Sequence, residues 1–353
     1  MALMEGEDEA QSGEAISAVR QLSVEEGTLR AVIETLDVET GRAEQSVVEM
    51  PANGRGAPAA ADGPGEAEAA LAAASPLGLR RVLAAGEAVW ALEGPADAAD
   101  GTGQALRVRQ DGRVEEADLA PLGLSSRRAV TELAHYEDAL LIFVADAVTG
   151  FEVWSRPAGA GAAGPERLVS EGAQRFSLNA AVPAAVVVDE GVLAGTAALA
   201  HGDAEIGNWG PELILLREGG AWDLVMGQQR FSPDGLKRPA SGLAQGFGRS
   251  GNAAIQAIAA AEGPEGRTVA VAVQDFAGEG VEDRRDLPPD LLDYMGPARL
   301  HVSSDLAEWR EISLELPVTA GAITALAVTP EGFVVGHEGI AGETDPLTFV
   351  PRE

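Results

Sequence analysis

At 353 residues and 46% hydrophobic content, the chain is long enough for two domains or one large repeat array. Its formal charge of −31, from 56 acidic against 25 basic residues, sets the surface against phosphate backbones and anionic lipids, so neither nucleic acid nor a membrane is expected as a partner. Without cysteine there is no disulfide, no thiolate chemistry and no Cys-based zinc site.

Residues 1–26 open as Met-Ala-Leu-Met-Glu-Gly-Glu-Asp-Glu and read as an acidic tail. A secretory leader needs a basic start and an apolar centre, and no apolar run reaches membrane-span length, so a soluble cytoplasmic protein is expected. Residues 27–51, GTLRAVIETLDVETGRAEQSVVEMP, read as a β-hairpin. Residues 52–79 are rich in Ala, Gly and Pro and read as a mobile linker.

From residue 80 the chain repeats itself. RRVLAAGEAVWALEG (80–94), RRAVTELAHYEDALLIFVADA (127–147), the strands after GAQRFS (172–177), the strands after GQQRFS (227–232) and GAITALAVTPEGFVVGHEG (321–339) share one plan. Each is a small-residue apolar strand, a short acidic turn and a second apolar strand. A second strand pair follows each of the first four, as in ALRVRQDGRVEEADL (105–119) and PELILLREGGAWDLVMG (211–227), joined by turns of Asp-Gly or Gly-Gly type. Four strands per unit, at a period of roughly 45 residues, predict a β-propeller. The last copy is followed only by PLTFVPRE (346–353), so the 27–51 hairpin is expected to complete its sheet. The expected fold is therefore all-β: a five-bladed propeller over 80–353, closed by pairing of its N- and C-terminal strands. Strands richest in Ala and Gly are placed innermost, where backbones crowd the axis.

The phrase TGFEVWSRPAG (149–159) is similar to a loose bacterial propeller-repeat consensus, and over about 80–350 the chain resembles the β-propeller superfamily that includes WD40 and kelch repeats. The Gly-His…Trp-Asp signature of WD40 repeats is missing. The resemblance implies an architecture and no activity.

The longest connections, 94–104, 200–210, 233–250 and 277–297, fall on the face carrying the links between blades, so that face is the expected binding face. Links bring Arg80, Arg127, Arg175 and Arg230 to the channel mouth, with Asn179 and Asn252 following the two RFS motifs. Such an arginine ring suits a small anionic ligand or an acidic protein partner. Equally, Arg175 and Arg230 could tie blades through local carboxylates, with Phe176 and Phe231 plugging the seams. The four histidines, His135, His201, His301 and His337, fall out of register with one another, so no metal centre or other cofactor is expected. Asp146, Asp203, Glu205 and Asp275 lie near the mouth in this scheme, and Asp203 and Glu205 share a loop with Trp209, a sugar-stacking partner. The chain has no P-loop and no G-x-S-x-G elbow. The leading expectation is a non-catalytic binding or scaffold propeller. The rivals are a carbohydrate-active enzyme or lectin and a structural subunit of a larger assembly.

Overall fold

A computed structural model describes the chain except residues 1–14, 26, 38–42, 53–58, 61–69, 72–73, 76–78, 95–100, 160–163, 198–209, 250–251, 265, 276–297, 317–321, 342–344 and 353. Much of the expected linker, and the loops 200–210 and 277–297 apart from Gly210, lie outside the described residues.

The fold is nearly all β, and the described strands fall into six antiparallel groups, the fourth and fifth joined in one eight-stranded sheet through Ala197–Ala254. The first holds β1 (Ala15–Glu25), β2 (Thr28–Asp37), β3 (Ala43–Pro51) and β4 (Ala59–Ala60). The second holds β5 (Leu79–Ala85), β6 (Ala88–Glu93), β7 (Ala105–Gln110) and β8 (Arg113–Glu116). The third comprises β9 (Arg128–Tyr136), β10 (Ala139–Asp146), β11 (Glu152–Pro157) and β12 (Glu166–Val169). The fourth comprises β13 (Ala181–Val188), β14 (Gly191–Ala197), β15 (Leu213–Leu216) and β16 (Trp222–Met226), and is followed by a separate hairpin, β17 (Arg230–Ser232) and β18 (Gly235–Lys237). In the fifth are β19 (Asn252–Gly263), β20 (Gly266–Asp275), β21 (Arg299–Ser303) and β22 (Arg310–Ser313). The sixth has β23 (Ile323–Thr329), β24 (Gly332–His337) and β26 (Leu347–Pro351), while the short β25 (Gly339–Ile340) pairs instead with β1.

The first strands of the units touch one another in chain order, β5 to β9 to β13 to β19 to β23, and β1 meets both β23 and β5. This ring of innermost strands is the β-propeller arrangement. The Ala-rich strands are thus the inner ones. Every inner strand also carries a register shift against its second strand, for example between Leu79 and Arg81 and between Ile323 and Ala325. A bulge sharpens local twist, which a strand running beside the axis requires.

The count differs from the expected five. Residues 15–25, AISAVRQLSVE, form an inner strand rather than a tail, and the 27–51 hairpin pairs with it, not with β24 or β26. The ends of the chain do meet, through Ile16–Ile340 and Ser17–Gly339. The contact is close: a Cβ built on Gly336 of β24 would lie 2.7 Å from Cβ of Val19, so a larger residue there would push β1 away.

Apolar side chains pack as layers between neighbouring units: Trp90, Leu106, Leu140 and Ile142 between the second and third, Phe143, Phe151, Ile214 and Leu224 between the third and fourth. Val19, Ala31 and Ala325 form the layer between the last and first. A sheet with an apolar layer on each side buries both of its faces. That is why β10 reads ALLIFVAD and β14 is buried at all seven positions, with no polar alternation.

Candidate functional site

The two RFS motifs converge on the link face of the fourth unit. Residues 171–174 form a left-handed turn, with φ of 55° at Glu171, 56° at Gly172, 53° at Ala173 and 61° at Gln174, and Phe176 follows at 53°. Non-glycine residues enter this region at a cost of roughly 1–2 kcal/mol each, so neighbouring contacts must hold the turn. Gly150 makes room for it, since a Cβ there would sit 2.3 Å from the Phe176 carbonyl oxygen.

The holding group is the carboxylate of Glu212, fully buried just before β15. It accepts a hydrogen bond from Asn179 Nδ2 at 2.8 Å, from the Gln228 backbone N–H at 2.7 Å and from Arg230 Nη1 at 2.9 Å. Arg230 Nη2 lies 2.9 Å from the second oxygen, an ionic contact without hydrogen-bond geometry, and Arg175 Nη1 stands 3.6 Å away. Arg175 Nη1 also donates to the Gly210 carbonyl at 2.9 Å, and Arg230 Nε to the Ala173 carbonyl at 2.8 Å. Thr196 completes the knot by donating to Asn179 Oδ1 and accepting from the Glu212 N–H. Burial lowers the Arg175 pKa; Glu212 opposes this and Arg230 adds to it. Two guanidinium groups face one carboxylate, and Arg175 keeps Nε and Nη2 without a partner among the described residues.

The repeated motif therefore has different destinations for its two large residues. The arginines go inward to Glu212. The phenylalanines face solvent, Phe176 being 55% and Phe231 77% exposed, so neither plugs a seam. Phe231 pairs across the β17–β18 hairpin with Leu236, which is 41% exposed. The paired positions Arg230 and Lys237 turn the other way and flank the buried Trp222 ring, at 5.0 and 5.2 Å from its centroid. The hairpin thus puts its cations inward and its large apolar residues outward.

The other expected site residues are dispersed. Arg80 is the bulged residue of β5, in the second unit. Arg127 is exposed in the turn closed by Ser125 and Arg128. Its neighbour Arg128 does the binding there, contacting Glu152 and donating to Asp146 at 2.9 Å and to the Leu122 carbonyl. Burial works to raise the Asp146 pKa, but the Thr149 and Val148 N–H groups and Arg128 hold it low. Asn252 begins β19 and pairs with Asp275. Asp203, Glu205 and Trp209 lie outside the described residues.

Glu212 and Glu152 are the residues that sequence reading passed over. Their signal is positional: FEVW (151–154) and PELI (211–214) place a glutamate at the same step, opening the third strand of a unit. Both are buried, and both are taken by arginines. Further in, buried Glu132 on β9 contacts Arg81; burial raises its pKa more than Arg81 lowers it. Among the described residues no group of His, Asp and Glu has the arrangement of a metal site, and no helix is long and apolar enough to cross a membrane.

No protein-family model matches the chain, and no curated protein matches it. Among solved structures it is similar to a six-bladed β-propeller fungal lectin from Aleuria aurantia, at 9% identity, 96% coverage of both chains and a TM-score of 0.44. It is also similar to the β-propeller domain of the Trilobed protease from Pyrococcus furiosus, at 7% identity, covering 96% of this chain and 86% of that one, with a TM-score of 0.38. An acylaminoacyl peptidase from Pyrococcus horikoshii gives 9% identity and a TM-score of 0.45; the chain, 96% covered, spans 51% of its length. At such distances the likenesses carry no argument about activity.

Proposed function

We propose that this protein is a non-catalytic binding propeller that holds a protein partner on its link face. The observation that carries the reading is the inverted hairpin of β17 and β18. Its cations are spent on Trp222 and Glu212, while Phe231 and Leu236 are turned to water. Aromatic anchors on a rigid base are what interfaces use, since few rotamers are lost on binding. The base here is the Glu212 knot, which ties the hairpin to the left-handed turn behind Phe176 through Arg230 and the Ala173 carbonyl. The acids of the described seam, Glu212, Glu152 and Asp146, already accept from arginines, which supports binding rather than acid–base chemistry at these positions.

A carbohydrate-binding propeller is the second reading. The exposed rings of Phe176 and Phe231 favour it, because a flat aromatic face also packs on a sugar ring. That reading also gives Asp203 and Trp209 of the sequence a part in binding.

One experiment separates the two. Wild type and Phe231→Ala/Leu236→Ala are each screened against a displayed peptide library and a glycan array. Peptides retained by wild type and lost by the variant support the protein-binding reading. Glycans lost by the variant support the second. Ligands of either kind held equally by both proteins contradict the use of this face.

A further inference from the structure

A separate cleft of about 630 Å³ opens between the third and fourth units, at the opposite end of the sheets from the seam. It is bounded by the β9–β10 turn at Glu137 and Asp138, by the ends of β11 and β12, and by the β15–β16 turn at Glu218–Gly220. Its volume lies within the range of small-ligand sites. The floor is apolar, made by Leu141, Val153, Val169 and Leu216, which also belong to the layer between the two units. Half-buried Tyr136 and Ser155 stand on its walls.

The rim is net negative, with four carboxylates against two arginines. Glu137, Asp138, Glu166 and Glu218 are all exposed at the cleft, and none forms an ion pair among the described residues. Two arginines also border it, but both are engaged elsewhere. Arg217 donates to Asp223 at 2.6 Å and to the Glu190 carbonyl at 3.1 Å. Arg156 lies on the other face of β11, with its guanidinium 4.9 Å from the Trp90 ring centroid in the second unit. An apolar floor under a rim of unneutralised carboxylates complements a ligand with a greasy body and a positive head.

We propose that this cleft is a binding site for a small organic cation, an ammonium or guanidinium compound carrying an apolar or aromatic body. The body rests on Leu141, Val153 and Leu216, and the head meets the carboxylates of Glu166 and Glu218. The site is independent of the partner surface: it lies at the far end of the sheets and shares no residue with the β17–β18 hairpin.

Saturation-transfer NMR at near-physiological salt, with the full chain, tests this through three probes. Phenethylamine has charge and body, phenethyl alcohol has the body alone, and methylamine has the charge alone. The expected result is transfer to phenethylamine, with phenethyl alcohol and methylamine each at least about tenfold weaker. Glu166→Gln/Glu218→Gln, two exposed substitutions, should weaken phenethylamine severalfold without moving the unfolding midpoint. Phe231→Ala/Leu236→Ala should leave it unchanged, so failure of the partner reading and failure of this one are distinguishable. Equal binding of the alcohol, equal binding of methylamine, insensitivity to the glutamine pair or no transfer at all would each overturn the proposal. So would preferential binding of methyl glucoside, which would make the cleft a sugar site.

Discussion

Arg175 and Arg230 come from two copies of one motif and meet on a single carboxylate, that of Glu212. The repeat is therefore used twice to build one thing. One copy supplies a left-handed turn and the other a hairpin, and Glu212 fastens both to the opening of β15.

Glu212→Ala should be among the most destabilising single substitutions in the chain. It strands two guanidinium groups, one of them fully enclosed, and loss of one partner of a buried ion pair costs about 3–5 kcal/mol. Arg230→Ala should cost less, because Arg175 and Asn179 still compensate the carboxylate. In urea unfolding the double variant should fall well short of the sum of the singles. Additive effects would mean that the three groups do not act as one knot.

Val19→Asp tests the first unit, the one beyond the expected five. Val19 is fully buried between β1 and the last sheet, so an unpaired carboxylate there should cost more than about 3 kcal/mol. Were residues 15–25 a tail, the thermal midpoint would not move.

His301 gives the protein an acid sensitivity with a defined sign. The ring is buried and stacks on Phe247 with centroids 3.7 Å apart. Burial pushes its pKa down to about 4, with Glu311 opposing and Arg249 and Arg299 assisting. A native pKa below the unfolded one means that the unfolded chain takes up the proton first. Stability from this group is full above about pH 6.5 and is lost as pH falls toward 4, at a limiting slope of about 1.4 kcal/mol per pH unit. Glu132, with its raised pKa, works in the opposite direction, so a comparison with a variant isolates the histidine. The stability difference between wild type and His301→Phe, measured by urea unfolding at pH 7 and pH 4.5, should move in the variant's favour at the lower pH. A constant difference would place the histidine pKa near its ordinary value in both states.

Much of this fold was legible in the sequence. Strand pairs with short acidic turns, the four-strand period and the small-residue inner strands all follow from local chemistry. The first unit was not, because AISAVRQLSVE adjoins an acidic start and its burial depends on a sheet more than 300 residues away. Phe231 was expected in a seam because isolated phenylalanines usually are buried. A three-residue strand is too short for its alternation to declare which side faces in, and only the position of Trp222 settles it. Glu212 was hidden by abundance: among 56 acidic residues, nothing but its place at the start of a third strand sets it apart.

Phe231→Ala/Leu236→Ala should leave the unfolding midpoint nearly unchanged, within about 0.5 kcal/mol, since both side chains lie mostly in water. A loss of several kcal/mol would mean that the pair packs on the protein and offers nothing to a partner.

The most direct test of the binding surface is hydroxyl-radical footprinting with mass spectrometry, on the free protein and then with a peptide selected on it. In the free protein Phe176 and Phe231 should oxidise far faster than the buried Phe143, Phe151 and Phe333. With peptide bound, both fast sites should be protected while the buried three stay slow. Phe231 reacting as slowly as the buried rings in the free protein, or remaining unprotected in the complex, would contradict the account.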